Sequence, residues 1–288
     1  MAKAEAPSAK AGLGYTPPGP AVTNGSDWTT AGDAPTRSYG SPAAPAIALQ
    51  PGQRFGPYAI VRPLGSGGMG DVYEAEELDS GRRIALKVLR ASVAAGTDRA
   101  RFIREGRLAA ALSHPHTIYI YGTDEIEQIP VIAMELATGG TLRDLVKLQG
   151  PVAAPQAVDA ILQVTEGLEA AANAGILHRD IKPSNCFIDS DGSVKVGDFG
   201  LSISTLSTDE RSLTLLGTVL GTPAFASPEQ LRSDDLDLRS DIYSVGATLY
   251  YLLTGHPPFD DANLMRLVTR VAQEMPASPD AIPAFGPL

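Results

Sequence analysis

His178-Arg-Asp-Ile-Lys-Pro-Ser-Asn185, followed beyond a short hairpin by Asp198-Phe-Gly200, is the stretch on which the reading of this chain turns. Three charged residues, Arg179, Asp180 and Lys182, interleave with Ile181 and Pro183 in a loop that follows a helical stretch and precedes a strand. A solvated turn would explain one or two of those charges. It would not explain an acid-aromatic-glycine run arriving just past the next hairpin. The spacing lets Asp180, Asn185 and Asp198 converge on one site, supplying a base and two hard oxygen ligands of the kind Mg²⁺ takes.

Upstream of that stretch the texture is β-rich. Tyr58–Leu64, Asp71–Glu77, Ile84–Leu89, Ile118–Tyr121 and Pro130–Leu136 read as strands, and Asp98–Leu112 as a helix ended by Ser113 and Pro115. Between the first two strands lies Gly65-Ser-Gly-Gly-Met-Gly70, with Val72 just beyond. In dinucleotide-binding folds such glycines lead a strand into a helix, but here they join two strands. Backbone N–H groups free of Cβ interference suit a phosphate-covering flap, and an ordinary hairpin turn fits the same residues. Lys87 interrupts the apolar run Ile84–Leu89. As a solvated strand lysine it needs nothing; partly buried, it needs an anion, either nucleotide phosphates or Glu105 on the following helix.

Downstream the chain is helical. Thr141–Leu148, Ala154–Ala174, Ser240–Thr254 and Asp261–Glu274 carry helical patterns, while Asn185–Ile188 and Ser193–Val196 form two short strands around the turn Asp189-Ser-Asp-Gly192. A polar loop occupies 201–222, and 276–288 reads as loop. The first 53 residues are a separate case. Prolines at 7, 17, 18, 20, 35, 42 and 45 and an Ala/Pro/Gly-rich composition predict a disordered tail, which also holds the only tryptophan, Trp28.

Composition narrows the function classes. With Lys+Arg 23 against Asp+Glu 33, the net charge of −10 disfavours binding to a nucleic-acid backbone. One cysteine, Cys186, excludes an internal disulfide framework and fits a reducing compartment; flanked by apolar residues, it reads as packing. No run approaches the roughly 18 apolar residues of a membrane span, and no secretory leader is evident, so the expected location is cytoplasmic. A length of 288 residues allows one large or two modest domains at about 150 residues each.

Taken together and in this order, the motifs resemble the serine/threonine protein kinases, and Gly67-Gly-Met-Gly70 with Ser227-Pro-Glu-Gln230 looks most like the bacterial eukaryotic-type group. The resemblance covers about residues 54–275. It implies an α+β bilobal fold: residues 54–137 form a small lobe of five antiparallel strands and one helix, and 138–288 a helical large lobe lacking its last helices. It implies transfer of the ATP γ-phosphoryl to Ser/Thr hydroxyls of proteins, ATP and Mg²⁺ as cofactors, protein substrates, and a homodimeric encounter for autophosphorylation. Gly65, Gly67 and Gly70 would cover the phosphates, with Leu64, Val72, Ala85 and Phe187 among the nucleotide-binding positions. Lys87 would hold the α/β-phosphates and pair with Glu105. Met134 resembles the gatekeeper, and Glu135 and Ala137 the residues whose backbones bond adenine. Asp180 would take the acceptor proton, Lys182 neutralise the transferring phosphoryl, and Asn185 and Asp198 hold Mg²⁺.

Further positions follow from the same resemblance. Lys182, two residues after Asp180, matches the Ser/Thr rather than the tyrosine pattern, and Thr222 of Gly221-Thr222-Pro223 would lie beside the acceptor hydroxyl. Arg179 resembles the arginine that pairs with an activation-loop phosphate, for which Thr214 and then Thr218 are the best-placed acceptors. Asp241 resembles the residue that braces the catalytic loop. The arginine that pairs with Glu229 in the family is missing, which predicts an unpaired Glu229 and exposed apolar helix faces. Phosphoryl transfer and nucleotide binding without catalysis are the two readings this leaves.

Overall fold

The computed structural model describes residues 49–66, 70–90, 97–199, 223–232 and 234–278. Trp28, Gly67, the 201–222 loop with Thr214, Thr218 and Thr222, and the side chain of Glu105 lie outside the described residues.

One antiparallel sheet has the strand order β1-β2-β3-β4-β6-β5, from β1 (Arg54–Phe55), β2 (Tyr58–Ser66), β3 (Gly70–Glu77), β4 (Arg83–Leu89), β5 (Ile120–Ile126) and β6 (Ile129–Met134). Helix α1 (Thr97–Ala110) packs across β5 and β6. The sheet thus has six strands rather than five. The extra one is two residues long, too short to show a period, and pairs back onto Phe55↔Tyr58 and Arg54↔Ala59. Strand β5 runs Ile120–Ile126 where the pattern placed Ile118–Tyr121. It is an edge strand and mostly open to solvent, so Gly122-Thr-Asp-Glu125 carries little apolar signal. Its turn into β6 places Glu127 (φ 51°) and Gln128 (φ 67°) in the left-handed region that a two-residue hairpin of the type I′ kind requires.

The packed chain also begins earlier than composition suggests. Leu49 is buried in the sheet core beside Phe55, Tyr58 and Tyr73, and its N–H donates to Tyr73 Oη at 3.3 Å. Gly52 N–H and Ile60 N–H then close a turn onto Ile60 O and Gln53 O. Residues 49–53 therefore belong to the small lobe rather than to the tail.

The second lobe is built on α2 (Leu142–Gln149), α3 (Ala154–Asn173), the hairpin β7 (Cys186–Ile188) and β8 (Val194–Val196), then α4 (Pro228–Arg232), α5 (Leu238–Thr254) and α6 (Leu264–Gln273). Local chemistry sets these boundaries. Thr141 and Asp144 form a reciprocal capping box at the start of α2, Asp237 caps α5, Asn263 caps α6, and Gly255 ends α5 at φ 79°. The main core gathers Leu142, Leu145, Val164, Leu168, Ile188, Val196 and Leu252 from α2, α3, the hairpin and α5. Helix α4 gave no helical signal beyond the Ser227-Pro-Glu-Gln230 motif, being only five residues long.

Glu229 corrects the expectation of an unpaired acid. Ser240 Oγ donates to its Oε1 at 2.7 Å. Burial pushes its carboxyl up, but bonds from Ser240, its own backbone and Ser227, with Arg232 nearby, hold it below the usual carboxylate range. Apolar exposure is found, at Ile242 and Met265 on α5 and α6.

Candidate active site

Val72, Ala85, Lys87 and Met134 share one face of the sheet, because Val72 stands opposite Lys87, Ala85 opposite Met134, and side chains alternate along each strand. That face looks onto the β7–β8 hairpin. Lys87, nearly buried, reaches across the gap to Asp198 Oδ1 at 2.9 Å. A cavity behind Met134 is lined by Lys87, Ile118, Ile132, Asp198 and Phe199. Leu64 and Gly65 end β2, and Gly70 opens β3 so close to β4 that a Cβ there would stand 2.3 Å from Val88 O. The base of the glycine loop is pinned by Asp71, whose carboxylate accepts from Ser66 Oγ at 2.6 Å and Arg90 Nη2 at 3.0 Å. Burial opposes ionisation of Asp71, and those two partners outweigh it, leaving the carboxyl below its ordinary range. Only the glycines of this loop were read from sequence; Ser66 and Arg90 are ordinary surface types with no pattern of their own.

The loop after α3 is held by main-chain hydrogen bonds from distant side chains. Asp241, buried in the first turn of α5, accepts from His178 N–H at 2.9 Å and Arg179 N–H at 2.7 Å. Gln230 Nε2 donates to the Arg179 carbonyl at 2.6 Å. His178 Nδ1 accepts from Asp180 N–H at 3.2 Å, which places the ring proton on Nε2, where it donates to Gly197 O at 2.8 Å. These bonds fix a strained backbone: Arg179 sits at φ 64° and Asp198 at φ 61°, conformations that non-glycine residues rarely adopt and that cluster at functional sites.

Within this frame Asp180 accepts from Lys182 Nζ at 2.8 and 3.0 Å and from Asn185 Nδ2 at 3.0 Å. The same Asn185 amide donates to Asp180 O at 2.8 Å, so its carbonyl oxygen is directed away from Asp180. Burial raises the pKa of Asp198, but Lys87 opposes it by charge and hydrogen bond, with help from His178 and Lys182, and the carboxyl ends below its usual range. An ionised carboxylate and an amide oxygen are thereby available for a hard cation. Cys186, adjoining Asn185, is fully buried, and burial pushes its thiol up to about 12.

The segment joining the lobes leaves β6 at Glu135, whose N–H donates to Tyr119 O at 2.8 Å, and runs through the half-buried Ala137. Phe187 in β7 pairs with Thr141 just beyond it. The protein kinase domain family matches residues 58–282.

The chain belongs to the protein kinase family. A probable serine/threonine-protein kinase of Corynebacterium efficiens is 39% identical over 227 residues, 77% of this chain and 34% of that protein. The serine/threonine-protein kinase PknB of Mycobacterium tuberculosis is 40% identical over 229 residues, 78% of this chain and 36% of its own length. The chain therefore spans about a third of the curated relatives it matches. Among solved structures, the kinase domain of M. tuberculosis PknI superposes with a TM-score of 0.64 at 27% identity, covering 83% of this chain and 85% of that one. The fold is accordingly the protein kinase fold, with a curled antiparallel small lobe and a helical large lobe.

Of the residues proposed from sequence, Lys87 and Asp198 form one bonded pair and Asp180, Lys182 and Asn185 another group, the two joined through Gly197 N–H to Asn185 O. Val72, Ala85 and Met134 share the sheet face that carries Lys87. Leu64, Gly65 and Gly70 lie in β2 and β3 beside the glycine loop, Glu135 and Ala137 in the segment after β6, and Phe187 in β7. Gly67 and the Glu105 side chain are outside the described residues, and among the described residues Lys87 pairs with Asp198. Gln230 and His178 had no assigned role before the structure. Both act through bonds to backbone, which no sequence spacing displays.

Proposed function

We propose that this chain is an ATP- and Mg²⁺-dependent protein serine/threonine kinase. The observation that carries the reading is the meeting of Lys87 from one lobe with Asp198 from the other, at 2.9 Å, beside the Asp180–Lys182–Asn185 cluster. Lys87 binds the α/β-phosphates of the nucleotide, and the glycine loop covers them with backbone N–H groups. Asp198 and Asn185 offer the oxygens that hold Mg²⁺, which when bound offsets charge on the β- and γ-phosphates. Asp180 orients a Ser or Thr hydroxyl and takes its proton as the hydroxyl oxygen bonds to the γ-phosphorus and the bond to the ADP oxygen breaks. Lys182, already on Asp180, steadies the negative charge of the transferring group. Positioning and electrostatics supply the acceleration, with no covalent enzyme intermediate.

The test is incubation with γ-labelled ATP, Mg²⁺ and an acceptor protein, with Asp180→Asn as the control. Label should appear on Ser and Thr but not Tyr, and the variant should fall by about 10²–10⁴-fold, the usual worth of a positioned acid–base group. A wild-type chain that binds ATP yet transfers nothing would favour a nucleotide-binding module instead.

Regulation follows from Arg179. Its Nε is buried and has no hydrogen-bond partner among the described residues, which suits an anion arriving from the 201–222 loop. Autophosphorylation by a second copy at Thr214, with Thr218 next, would supply it. Phosphopeptide mapping of active protein that finds 212–218 wholly unmodified would remove that proposal, and transfer whose rate per molecule does not rise with protein concentration would remove the second copy.

A further inference from the structure

Lys195 lies in β8, three residues before Asp198, and belongs to none of the roles above. Its ammonium pairs with the Glu135 carboxylate and, at 3.0 Å, with Asp189 Oδ2, while 14% of the side chain remains exposed. The other oxygens of both acids are engaged. Glu135 Oε2 accepts from Tyr119 N–H at 3.2 Å, and Asp189 Oδ1 from Ser190 N–H at 2.6 Å within the hairpin turn. Burial lowers the lysine pKa, but its bonds to Glu135 and Asp189 outweigh this and hold it above its ordinary range, so the charge is permanent. The result is an ionic strap from the β7–β8 turn of the large lobe to the first residue after β6.

Its position gives the strap a purpose. Lys195 stands directly opposite Phe187 in the antiparallel register, so the two side chains leave the same face of the hairpin. Main-chain bonds anchor the hairpin on either side, through Gly139 N–H and Ile188 N–H on one edge and Ile118 N–H and Val196 N–H on the other. Residues 135–138 cross the space between these anchors with a single backbone hydrogen bond among the described residues, from Glu135 to Tyr119. The side chain of Glu135 adds a second attachment, held by Lys195 through one oxygen and by Tyr119 N–H through the other.

We infer that Lys195 is a positioning residue for the nucleotide base: by gripping Glu135 it sets the height of the 135–138 backbone over Phe187, and so the width of the slot the base enters. The inference rests on the kinase reading and names a determinant of base affinity within that site. Its ammonium is already held between the Glu135 and Asp189 carboxylates, and the phosphates are left to Lys87.

The experiment compares two probes, ATP and inorganic tripolyphosphate, the second having the charge without the base, on the full 288-residue chain. Lys195→Met should weaken ATP binding and raise KM for ATP about tenfold, the scale of losing one partner from a half-desolvated ion pair. It should leave kcat within about twofold and tripolyphosphate affinity unchanged, since the phosphate-binding groups are untouched. Lys195→Arg should recover most of the loss, and Glu135→Gln should reproduce it, with no further loss in the double variant. Glu135→Gln keeps the backbone acceptor and serves as the reporter if Lys195→Met does not fold. Equal loss of both probes, or ATP affinity matching wild type, would overturn the inference while leaving the kinase reading intact. A wild-type chain that binds neither probe would overturn the kinase reading and this inference together.

Discussion

Replacing Asp241 with alanine should damage catalysis far more than folding. The carboxylate is 2% exposed and accepts two main-chain N–H groups, from His178 at 2.9 Å and Arg179 at 2.7 Å. Hydrogen bonds to a charged group contribute about 1.5–3 kcal/mol each, so two would contribute about 3–6 kcal/mol. Water entering the vacated space would re-satisfy part of this, which puts the expected cost at about 3–4 kcal/mol, against about 5–15 kcal/mol for a whole protein. At about 2–4 °C per kcal/mol for a chain of this size, Tm should fall by about 10 °C. The catalytic effect has a separate origin. Arg179 is held at φ 64°, a conformation worth about 1–3 kcal/mol of strain, and without the brace the loop relaxes. A displacement of about 1 Å at Asp180 is enough for a roughly 10²-fold fall in kcat. The assay pairs a thermal melt by circular dichroism with initial rates taken well below the variant's own Tm, where the chain is folded. Asp241→Asn, which keeps one acceptor oxygen and turns an N–H₂ toward a donor, should fall between wild type and alanine on both measures. A folded Asp241→Ala chain with wild-type kcat and a Tm within about 2 °C of normal would refute the reasoning.

Lys87→Met should abolish transfer and also change the acid response. In the wild type Asp198 has a lowered folded pKa, so its contribution to stability is present above the unfolded value near 4 and is lost as pH falls through the folded one. Without Lys87, burial dominates, the folded pKa rises, and the penalty appears as pH climbs. Melting curves of the two proteins should therefore diverge between about pH 3 and 7, and parallel curves would count against the assignment. Cys186, with its thiol pushed up to about 12, should resist iodoacetamide at pH 8 until the chain is denatured; rapid labelling of native protein would show the site is open. Gly167→Ala places a Cβ 2.3 Å from His116 O and should destabilise by about 1–3 kcal/mol in urea, whereas Gly246→Ala, with nothing within 4 Å and a helical backbone, should be neutral or stabilising by up to about 1 kcal/mol.

The sequence reading succeeded where chemistry and period coincide. Ile84–Leu89 and Ala154–Ala174 carry patterns that tertiary packing then uses directly, as the buried β4 and as α3 lying on the hairpin. It failed where a segment is short or open. Arg54–Phe55 is below the length of any period, and the edge strand β5 fully buries only Ile126, too little to show a pattern. Glu229 illustrates a different limit. Its expected partner was a cation far along the chain, but a carboxylate can equally be satisfied by hydroxyl and backbone donors, and Ser240 one helix away supplies the first of these. A missing charge in a sequence is therefore weak evidence for an unpaired one in a structure.

The same distinction separates the site residues that could be read from those that could not. Asp180, Asn185 and Asp198 announce themselves because they are chemically unusual where they stand. What holds them does so through main chain: Asp241 and Gln230 take opposite ends of the Arg179 peptide groups, and His178 links Asp180 N–H to Gly197 O just ahead of Asp198. Arg179, in the left-handed region, is thus bonded from α4 and α5 at once, and Asp198, also in that region, directly follows the carbonyl that His178 holds. Strain of that kind persists only when several elements impose it, so the geometry of the reacting groups must depend on the packing of helices that touch no substrate. The Phe225–Tyr251 contact, which joins the turn before α4 to α5 with ring centroids 5.8 Å apart, is one part of that packing. Loosening it should reach Asp180 through Gln230 and Asp241 together, lowering kcat before any change in nucleotide affinity.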